Sequence, residues 1–544
     1  MIKIYKKIEL FFIILIFFIA LIIRFSKLSE IPHGFFCDEA ALGFNAYKIL
    51  TTGKDENGIT LPFYILSFGD YRNPVSIYAM IPAITILGLN EFSVRATPAF
   101  LGSITVIFLF LFLKEVFWKS PPIIQTITSL GSALFLAISP WHIQFSRVGF
   151  EVTFQPFFLI LSLFLLFRFL RINESQKKKN TRACAKRSLI LSAVLLAITF
   201  YTYLPIQLVL IPFIGIILLI YKKNFFLKII RNWTFLFLLI FFASFIPLVF
   251  GIVKGQALTH FVSVSPLANH ANIKNFAKPM IKTYFSHFSF DFLFGKGDID
   301  MPGHFITRHS VRGIGELYLF QLPLLLVGLF SLIFRHRRIF FFILIWLGLY
   351  PIGSTVVGEG PFAHRSIFGV IPFQILSGFG LAVISEQIGR LKLRPPKLKI
   401  FLKMAYWGTV SVIILVSLNG YLFKYFKEYP NYSSDFWGWQ YGPKDIMKYF
   451  LNVRNHYDDL YMSGEFNGAE IFLKFYDLDN RCQNKCKIGD FWRQPFIYNP
   501  NRRQLFSLSP EYLNNSTFKS DFLIKHTLYY PDGKVAFLIG EIIL

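Results

Sequence analysis

Long apolar runs without a single charge are the feature that most constrains how this chain can fold. The stretch 234–251, TFLFLLIFFASFIPLVFG, is apolar on every side of a helix rather than along one stripe. About 20 such residues cross the hydrocarbon core of a bilayer, where a helix satisfies its own backbone hydrogen bonds. The chain has 544 residues, of which 54% are hydrophobic, and a mean hydropathy of +0.51. The sequence therefore predicts a polytopic membrane protein.

Eleven segments have the length and hydropathy of membrane-spanning helices. They are 10–23, 97–113, 121–139, 152–167, 188–203, 206–221, 233–251, 316–334, 339–357, 366–384 and 404–423. A further apolar run, 75–88, is too short to span comfortably, so we expect an interfacial or re-entrant helix there. The first segment follows three lysines but no small-residue cleavage site follows it, so we expect a retained helix.

Basic residues are concentrated in alternate loops of this eleven-helix arrangement. The basic loops are 114–120, 168–187, 222–231, 335–338 and 386–403. All five fall on the side of the N-terminus, as expected for cytoplasmic loops. A net charge of +25 also raises the possibility of nucleic acid, but charges confined to short loops indicate membrane topology instead. We expect a prokaryotic plasma (cytoplasmic) membrane, an inside N-terminus and no nucleic-acid partner.

The other loops, including 25–96 and 252–315, are predicted to lie outside. Residues 1–423 are predicted to form an all-α transmembrane domain. From residue 424 the chain becomes mixed polar and aromatic with alternating stretches, so 424–544 is predicted to form a small extracytoplasmic α/β or α+β domain. Cys482 and Cys486 could pair, but two cysteines do not make a zinc site.

The acidic pair Asp38 and Glu39 opens a predicted helix, 40–50, in the first outer loop. One interpretation is that both carboxylates only favour the helix N-terminus through the dipole. The other is a general base held at the boundary between water and lipid.

Cations that could bind a phosphate recur on the same predicted side. Asp70 and Arg72 precede Asn73-Pro74 and the short apolar run. An Arg at this depth can bind phosphate through paired hydrogen bonds, or it can simply anchor the chain at the interface. Arg147 and Glu151, four residues apart, could form an intrahelical ion pair or face a cavity.

The later outer loops add Arg308 and Arg365 as candidate ligands for the same phosphate, a role also open to Arg147, and His364 as a candidate substrate-binding residue. Loop 252–315 also holds several dispersed histidines: His260, His270, His287, His304 and His309. Because no H-x-x-H or H-E-x-x-H pairing is present, we assign no metal ligands.

These stretches together resemble the GT-C superfamily of polyprenyl-phosphate-sugar-dependent glycosyltransferases over residues 5–385. The similar group is that of the protein O-mannosyltransferases and aminoarabinose transferases (glycosyltransferase family 39-like). The resemblance rests on Asp38-Glu39, on GDYRNPVSIYAMIPAITILGLNEFSVRATPAFLG, on SRVGFEVTF and on AHRSIFGVIP. Arg72 is followed by Asn-Pro instead of a doubled Pro, Glu151 replaces the usual Asp, and the tail from 424 has no counterpart.

The resemblance implies a GT-C-like fold of about 11 spanning helices and a catalytic cavity that faces outward. It implies a polyprenyl-phosphate-linked sugar as donor and an extracytoplasmic acceptor, which could be protein, lipid or glycan. Asp38 would be the base with Glu39 beside it, and Arg72 would lie near the donor phosphate. This chemistry requires no cofactor and leaves room for a divalent metal. The alternatives are a lipid or glycan transporter or flippase, and a non-catalytic glycan-binding membrane protein.

Overall fold

The structure is a computed structural model. It describes residues 2–175, 179–225, 231–257, 259, 262, 273–298, 306–392, 396–493 and 498–543. The helices within these ranges are α1 Ile2–Phe25, α2 Cys37–Thr52, α3 Pro74–Leu87, α4 Glu91–Val116, α5 Pro122–Ile138, α6 Pro140–Ser146, α7 Phe154–Glu174, α8 Lys179–Phe200, α9 Leu204–Ile220, α10 Lys222–Phe225, α11 Arg231–Ala243, α12 Ile246–Val253, α13 Ile273–Ser286, α14 Gln321–Arg335, α15 Arg337–Leu349, α16 Ile352–Thr355, α17 Val370–Arg390, α18 Pro396–Phe423, α19 Tyr429–Ser433, α20 Pro443–Val453, α21 Glu470–Tyr476 and α22 Pro510–Asn515.

Every predicted spanning segment coincides with a helix or a helix pair in the described ranges. Among the described residues, eight helices are long and apolar enough to cross a membrane. The pair α5 and α6, bent by 55°, would make a ninth span. The two remaining predictions correspond to shorter apolar helices, α9 with 17 residues and α14 with 15. The polytopic membrane architecture expected from the sequence is confirmed.

The five basic loops contact one another at one end of the helix bundle. Arg171 pairs with Glu115, and Lys119 pairs with Glu174. The hydroxyl of Ser120 lies 3.1 Å from Nε2 of His336. Two further contacts complete the set: Arg335 pairs with Glu386, and Nδ2 of Asn173 donates to the Asn224 carbonyl. The alternation of basic and non-basic loops along the chain is thus a separation of charge in space.

The first outer loop folds into a compact unit against the opposite ends of the helices. Helix α2 carries Asp38 and Glu39 in its first turn and ends at Gly53, whose φ of 70° is readily adopted by glycine. An antiparallel hairpin of β1 (Ile65–Ser67) and β2 (Asp70–Arg72) follows. Proline at the first position of α3 then starts the 14-residue helix predicted from the apolar run.

Within the described residues, the C-terminal region contains a mixed sheet of five strands: β3 Asp459–Ser463, β4 Cys486–Gly489, β5 Gln504–Leu508, β6 Phe522–Tyr529 and β7 Val535–Ile542. Their order in the sheet is β4-β3-β5-β7-β6. Strands β4, β3 and β5 run parallel, while β7 pairs antiparallel with both β5 and β6. A disulfide joins Cys482 and Cys486. The small sheet domain is confirmed, and its predicted boundary at 423/424 stays a prediction.

The C-terminal region contacts the first outer loop through polar side chains. Lys444 Nζ lies 2.5 Å from Glu91 Oε2, and the Tyr476 hydroxyl donates to Glu91 Oε1 at 2.6 Å. Lys474 pairs with Glu56 at 3.0 Å. The segment that leads into the sheet also covers the loop closely, because a Cβ on Gly34 would lie 2.5 Å from the Trp439 carbonyl oxygen.

Helices α14 and α17 approach each other through glycines. A Cβ built on Gly380 would lie 2.0 Å from the Leu324 carbonyl oxygen, and one on Gly328 would lie 2.2 Å from that of Leu376. Small residues let the backbones of spanning helices come into contact. In a bilayer, where lipid is as apolar as the side chains, van der Waals packing rather than the hydrophobic effect holds such helices together.

Candidate active site

A cavity of about 530 Å³ lies between the first outer loop and the ends of the spanning helices. Seven of the nine residues predicted from the sequence to form the site line it: Asp38, Asp70, Arg72, Glu151, Arg308, His364 and Arg365. They come from segments far apart in the sequence, from Asp38 to Arg365, and the fold brings them together. Glu39 and Arg147 are not among the lining residues.

Asp38 and Arg72 form an ion pair at the cavity wall. Nη2 of Arg72 donates to Oδ1 of Asp38 at 2.8 Å, and the two side chains are 24% and 30% exposed. The negative charge of Asp38, with a smaller contribution from Glu151, raises the pKa of Arg72 above its usual value. The guanidinium is therefore permanently charged beside the carboxylate, and both groups are reachable from the cavity.

Glu151 presents a second carboxylate to the cavity. It opens a 3₁₀ turn, Glu151–Thr153, directly before α7 and is 9% exposed. Its Oε1 makes no hydrogen bond within the part of the chain that the structure describes. A nearly buried carboxylate oxygen needs a partner, so this atom is suited to a ligand's hydroxyl or amine.

Arg308 and Arg365 line the cavity wall on two other segments. The Arg308 guanidinium lies 4.0 Å from the centre of the Phe36 ring and donates to the Trp437 carbonyl at 2.8 Å. Arg365 lies 5.0 Å from the centre of the Phe362 ring. Burial lowers the pKa of both guanidinium groups, although they stay charged at neutral pH.

Each of these two arginines keeps an unused donor. Nε of Arg308 and Nη1 of Arg365 have no hydrogen-bond partner among the described residues. Buried, unsatisfied N–H groups favour an anionic ligand, because they gain charge-assisted hydrogen bonds on binding.

Another part of the cavity lining is apolar. It is formed by residues at the end of α8, along α9 and in α12: Phe200, Leu204, Leu208, Ile211 and Leu248. Helix α9 is also one of the shorter apolar helices of the bundle. The cavity is thus lined partly by charged side chains and partly by apolar side chains.

Glu39 is fully buried and bound by protein groups. Its carboxylate accepts two hydrogen bonds from Arg95, both at 2.9 Å, and a third from the Gly149 backbone at 2.7 Å. It also accepts the Phe36 N–H at the start of α2 at 3.2 Å. Arg95 in turn donates to three carbonyls between residues 28 and 34. Glu39 therefore connects the segments that carry Asp38 and Glu151.

Arg147 is also saturated by protein acceptors. Its five N–H groups reach the carbonyls of residues 23, 24, 26 and 31 and the hydroxyl of Tyr425. A guanidinium has five donors, so none is left for a phosphate. Of the two interpretations of Arg147 and Glu151, an intrahelical pair does not fit the structure, because α6 ends at Ser146 and Glu151 begins a separate turn.

Sequence reasoning missed a cluster of three residues beside the arginines. One ligand atom from each of Asp298, His309 and His364 lies within 4.8 Å of those of the other two. No spacing rule links residues from two different outer segments, so only the fold could show the cluster. Three histidines of the loop 252–315, His260, His270 and His304, lie outside the described residues.

The fold is similar to the folds of known membrane proteins. No protein-family profile and no curated protein sequence matches the chain. Among solved structures, ArnT from Cupriavidus metallidurans bound to undecaprenyl phosphate is 11% identical, with a TM-score of 0.50 over 98% of both chains. The Archaeoglobus fulgidus oligosaccharyltransferase, tethered to an acceptor peptide containing the NVT sequon, is 11% identical, with a TM-score of 0.54 over 98% of this chain and 74% of that one.

The fold is of the GT-C type. The likeness to ArnT extends through the C-terminal region, because the alignment covers nearly all of both chains. The sequence-based expectation of a GT-C-like fold is therefore confirmed.

Proposed function

We propose that this protein is an integral membrane glycosyltransferase that moves a sugar from a polyprenyl-phosphate-linked donor to an extracytoplasmic acceptor. The observation that carries the proposal is the composition of the cavity. Three carboxylates (Asp38, Asp70 and Glu151) and three arginines (Arg72, Arg308 and Arg365) line one space whose lining also includes an apolar part. A lipid-linked anionic donor needs positive charge near its phosphate and an apolar surface for its lipid chain. ArnT, which shares the fold, is bound to undecaprenyl phosphate in its structure.

The arginines act on the donor phosphate. As the bond between the sugar's anomeric carbon and the phosphate oxygen breaks, negative charge grows on that oxygen, and fixed guanidinium groups stabilise it. Arg308 and Arg365 offer unsatisfied N–H groups for this purpose. Arg72 is already next to the reacting carboxylate, so it can bridge the base and the phosphate.

Asp38 acts on the acceptor. The acceptor hydroxyl attacks the anomeric carbon from the face opposite the phosphate, and its proton passes to the Asp38 carboxylate. The new carbon–oxygen bond forms as polyprenyl phosphate leaves, so the configuration of the sugar is inverted. A positioned carboxylate contributes typically 10²–10⁴-fold to such a step. Glu151 and Asp70, on the same wall, bind hydroxyl groups of the sugar or acceptor.

Glu39 and Arg147 are positioning residues in this proposal. Glu39 holds the first turn of α2 and the backbone before Glu151 in one network. Arg147 fixes the exit of α1. Neither contacts the donor.

The protein is proposed to lie in a prokaryotic plasma membrane with its basic end inside. The cavity and the C-terminal sheet then face outward, where the polyprenyl tail reaches the apolar wall from the bilayer.

The direct test is release of polyprenyl phosphate. Purified protein is incubated with a panel of polyprenyl-phosphate sugars and candidate acceptors, and both products are measured. We expect one donor to be cleaved with inversion, and Asp38→Asn to abolish cleavage. Movement of an intact donor across vesicles without cleavage would instead indicate a transporter.

A further inference from the structure

Asp298, His309 and His364 form the group of residues with metal-ligand chemistry that the proposed reaction leaves unused. Asp298 is 1% exposed and His309 is 3% exposed. The imidazole Nδ1 of His309 lies 3.4 Å from Oδ2 of Asp298, and the two imidazole rings have their centres 4.2 Å apart. Two imidazoles and one carboxylate, with a fourth position left for a small ligand, form a donor set that zinc uses.

The surroundings hold the Asp298 carboxylate in place. Its Oδ2 accepts the backbone N–H of Ala363 at 2.9 Å, and its Oδ1 lies 3.1 Å from the Ser310 hydroxyl. Such outer contacts orient the ligands of metal sites. The same hydroxyl lies 2.6 Å from Oε1 of Glu316. Ser310 thus links Glu316 to Asp298 through its hydroxyl group.

Two residues of the cluster are sequence neighbours of the arginines that line the cavity. His309 directly follows Arg308, and His364 directly precedes Arg365. Both arginines and both histidines line the cavity. A metal bound by the two histidines would therefore fix, at one point, the two separate segments that carry these arginines.

We propose that Asp298, His309 and His364 bind one zinc ion, which joins the segment 306–316 to the segment 359–365. The ion leaves one coordination position towards the cavity and raises the positive potential there. Its effect on the donor phosphate, through Arg308 and Arg365, rests on the proposed glycosyltransferase function. Binding of the ion itself does not.

The test begins with metal content and uses no substrate. The full-length protein is purified in detergent, stripped with chelator, incubated with Zn²⁺ and dialysed, and bound zinc and iron are measured by mass spectrometry. We expect about one zinc per chain, with loss of at least tenfold in zinc affinity for Asp298→Asn and for His309→Ala. Ser310→Ala should weaken zinc binding by roughly 10- to 100-fold. Retention of zinc by both ligand variants, absence of bound zinc in the wild type, or binding of iron in its place would overturn the proposal.

His526→Ala is the matched control. This histidine is exposed on the C-terminal sheet and stacks on Tyr449, so its loss should leave zinc content unchanged. If a ligand variant fails to fold, Co²⁺ bound to the wild-type protein provides an independent measurement. We expect the absorption bands of a site with nitrogen and oxygen ligands, removed by competing Zn²⁺, and their absence contradicts the site. Bound zinc in a protein that cleaves no donor would retain the metal site and remove only its link to the reaction.

Discussion

At Asp38, the ion pair with Arg72 allows base chemistry and phosphate binding to be separated by substitution. Asp38→Asn keeps the size of the side chain but removes the proton acceptor. We expect kcat to fall by about 10²–10⁴-fold while membrane insertion is unchanged. Turnover of purified protein with a lipid-linked donor measures this. Glu30→Gln, at an exposed carboxylate in the same loop, serves as the control. Full activity of Asp38→Asn would contradict the role of base.

Arg72→Ala tests the phosphate contact. A hydrogen bond to a charged group contributes about 1.5–3 kcal/mol, so we expect the apparent affinity for donor to fall by roughly 10- to 100-fold. Arg312→Ala is a suitable comparison, because Arg312 is exposed and stacks on Tyr432 away from the cavity lining. Equal effects of the two substitutions on donor KM would argue against a specific phosphate contact at Arg72.

Glu39→Gln tests positioning rather than chemistry. Both Glu39 and Arg95 are 0% exposed, so the substitution leaves a buried guanidinium without its counter-charge. Breaking such a pair destabilises proteins by about 3–5 kcal/mol. We expect a clearly lower unfolding temperature in detergent. The double variant Glu39→Gln/Arg95→Gln should regain part of the lost thermal stability. A Glu39→Gln protein with wild-type thermal stability and no activity would instead make Glu39 a participant in the reaction.

The candidate residues illustrate what sequence can and cannot reveal at this scale. Residue type and predicted side of the membrane were enough to select Asp38, Arg72, Arg308 and Arg365, because charged groups beside lipid are costly and rarely accidental. The same criterion selected Arg147, since nothing local shows that its donors all meet protein oxygens. Which atoms a side chain bonds to depends on the tertiary structure.

At the scale of elements, hydropathy was sufficient to find the spanning helices. Glycine placement adds what hydropathy omits, namely which helices touch. Gly380→Ala should destabilise the protein, since its Cβ would lie 2.0 Å from the Leu324 carbonyl. Gly408→Ala, in the spanning helix α18, has nothing within 4 Å, so we expect no loss there. Thermal unfolding of both variants in detergent measures the difference, and equal unfolding temperatures would contradict the backbone contact.

At the scale of the whole molecule, orientation is the prediction on which the outward-facing reaction depends. In a background lacking Cys184, Lys54→Cys in the first outer loop and Lys119→Cys in a basic loop give single exposed probes of the two ends. We expect an impermeant maleimide to label position 54 in intact cells and position 119 only in inverted vesicles. The reverse pattern would place the cavity in the cytoplasm.

The segment around Trp439 has a consequence for engineering this protein. It covers Gly34 and supplies, through the Trp437 carbonyl, an anchor for Arg308. Under the proposed function, we expect a sheet grafted from another protein with this fold to disturb donor binding at Arg308, unless the graft point lies beyond residue 441. A chimera should therefore keep this stretch native and exchange only residues on its C-terminal side.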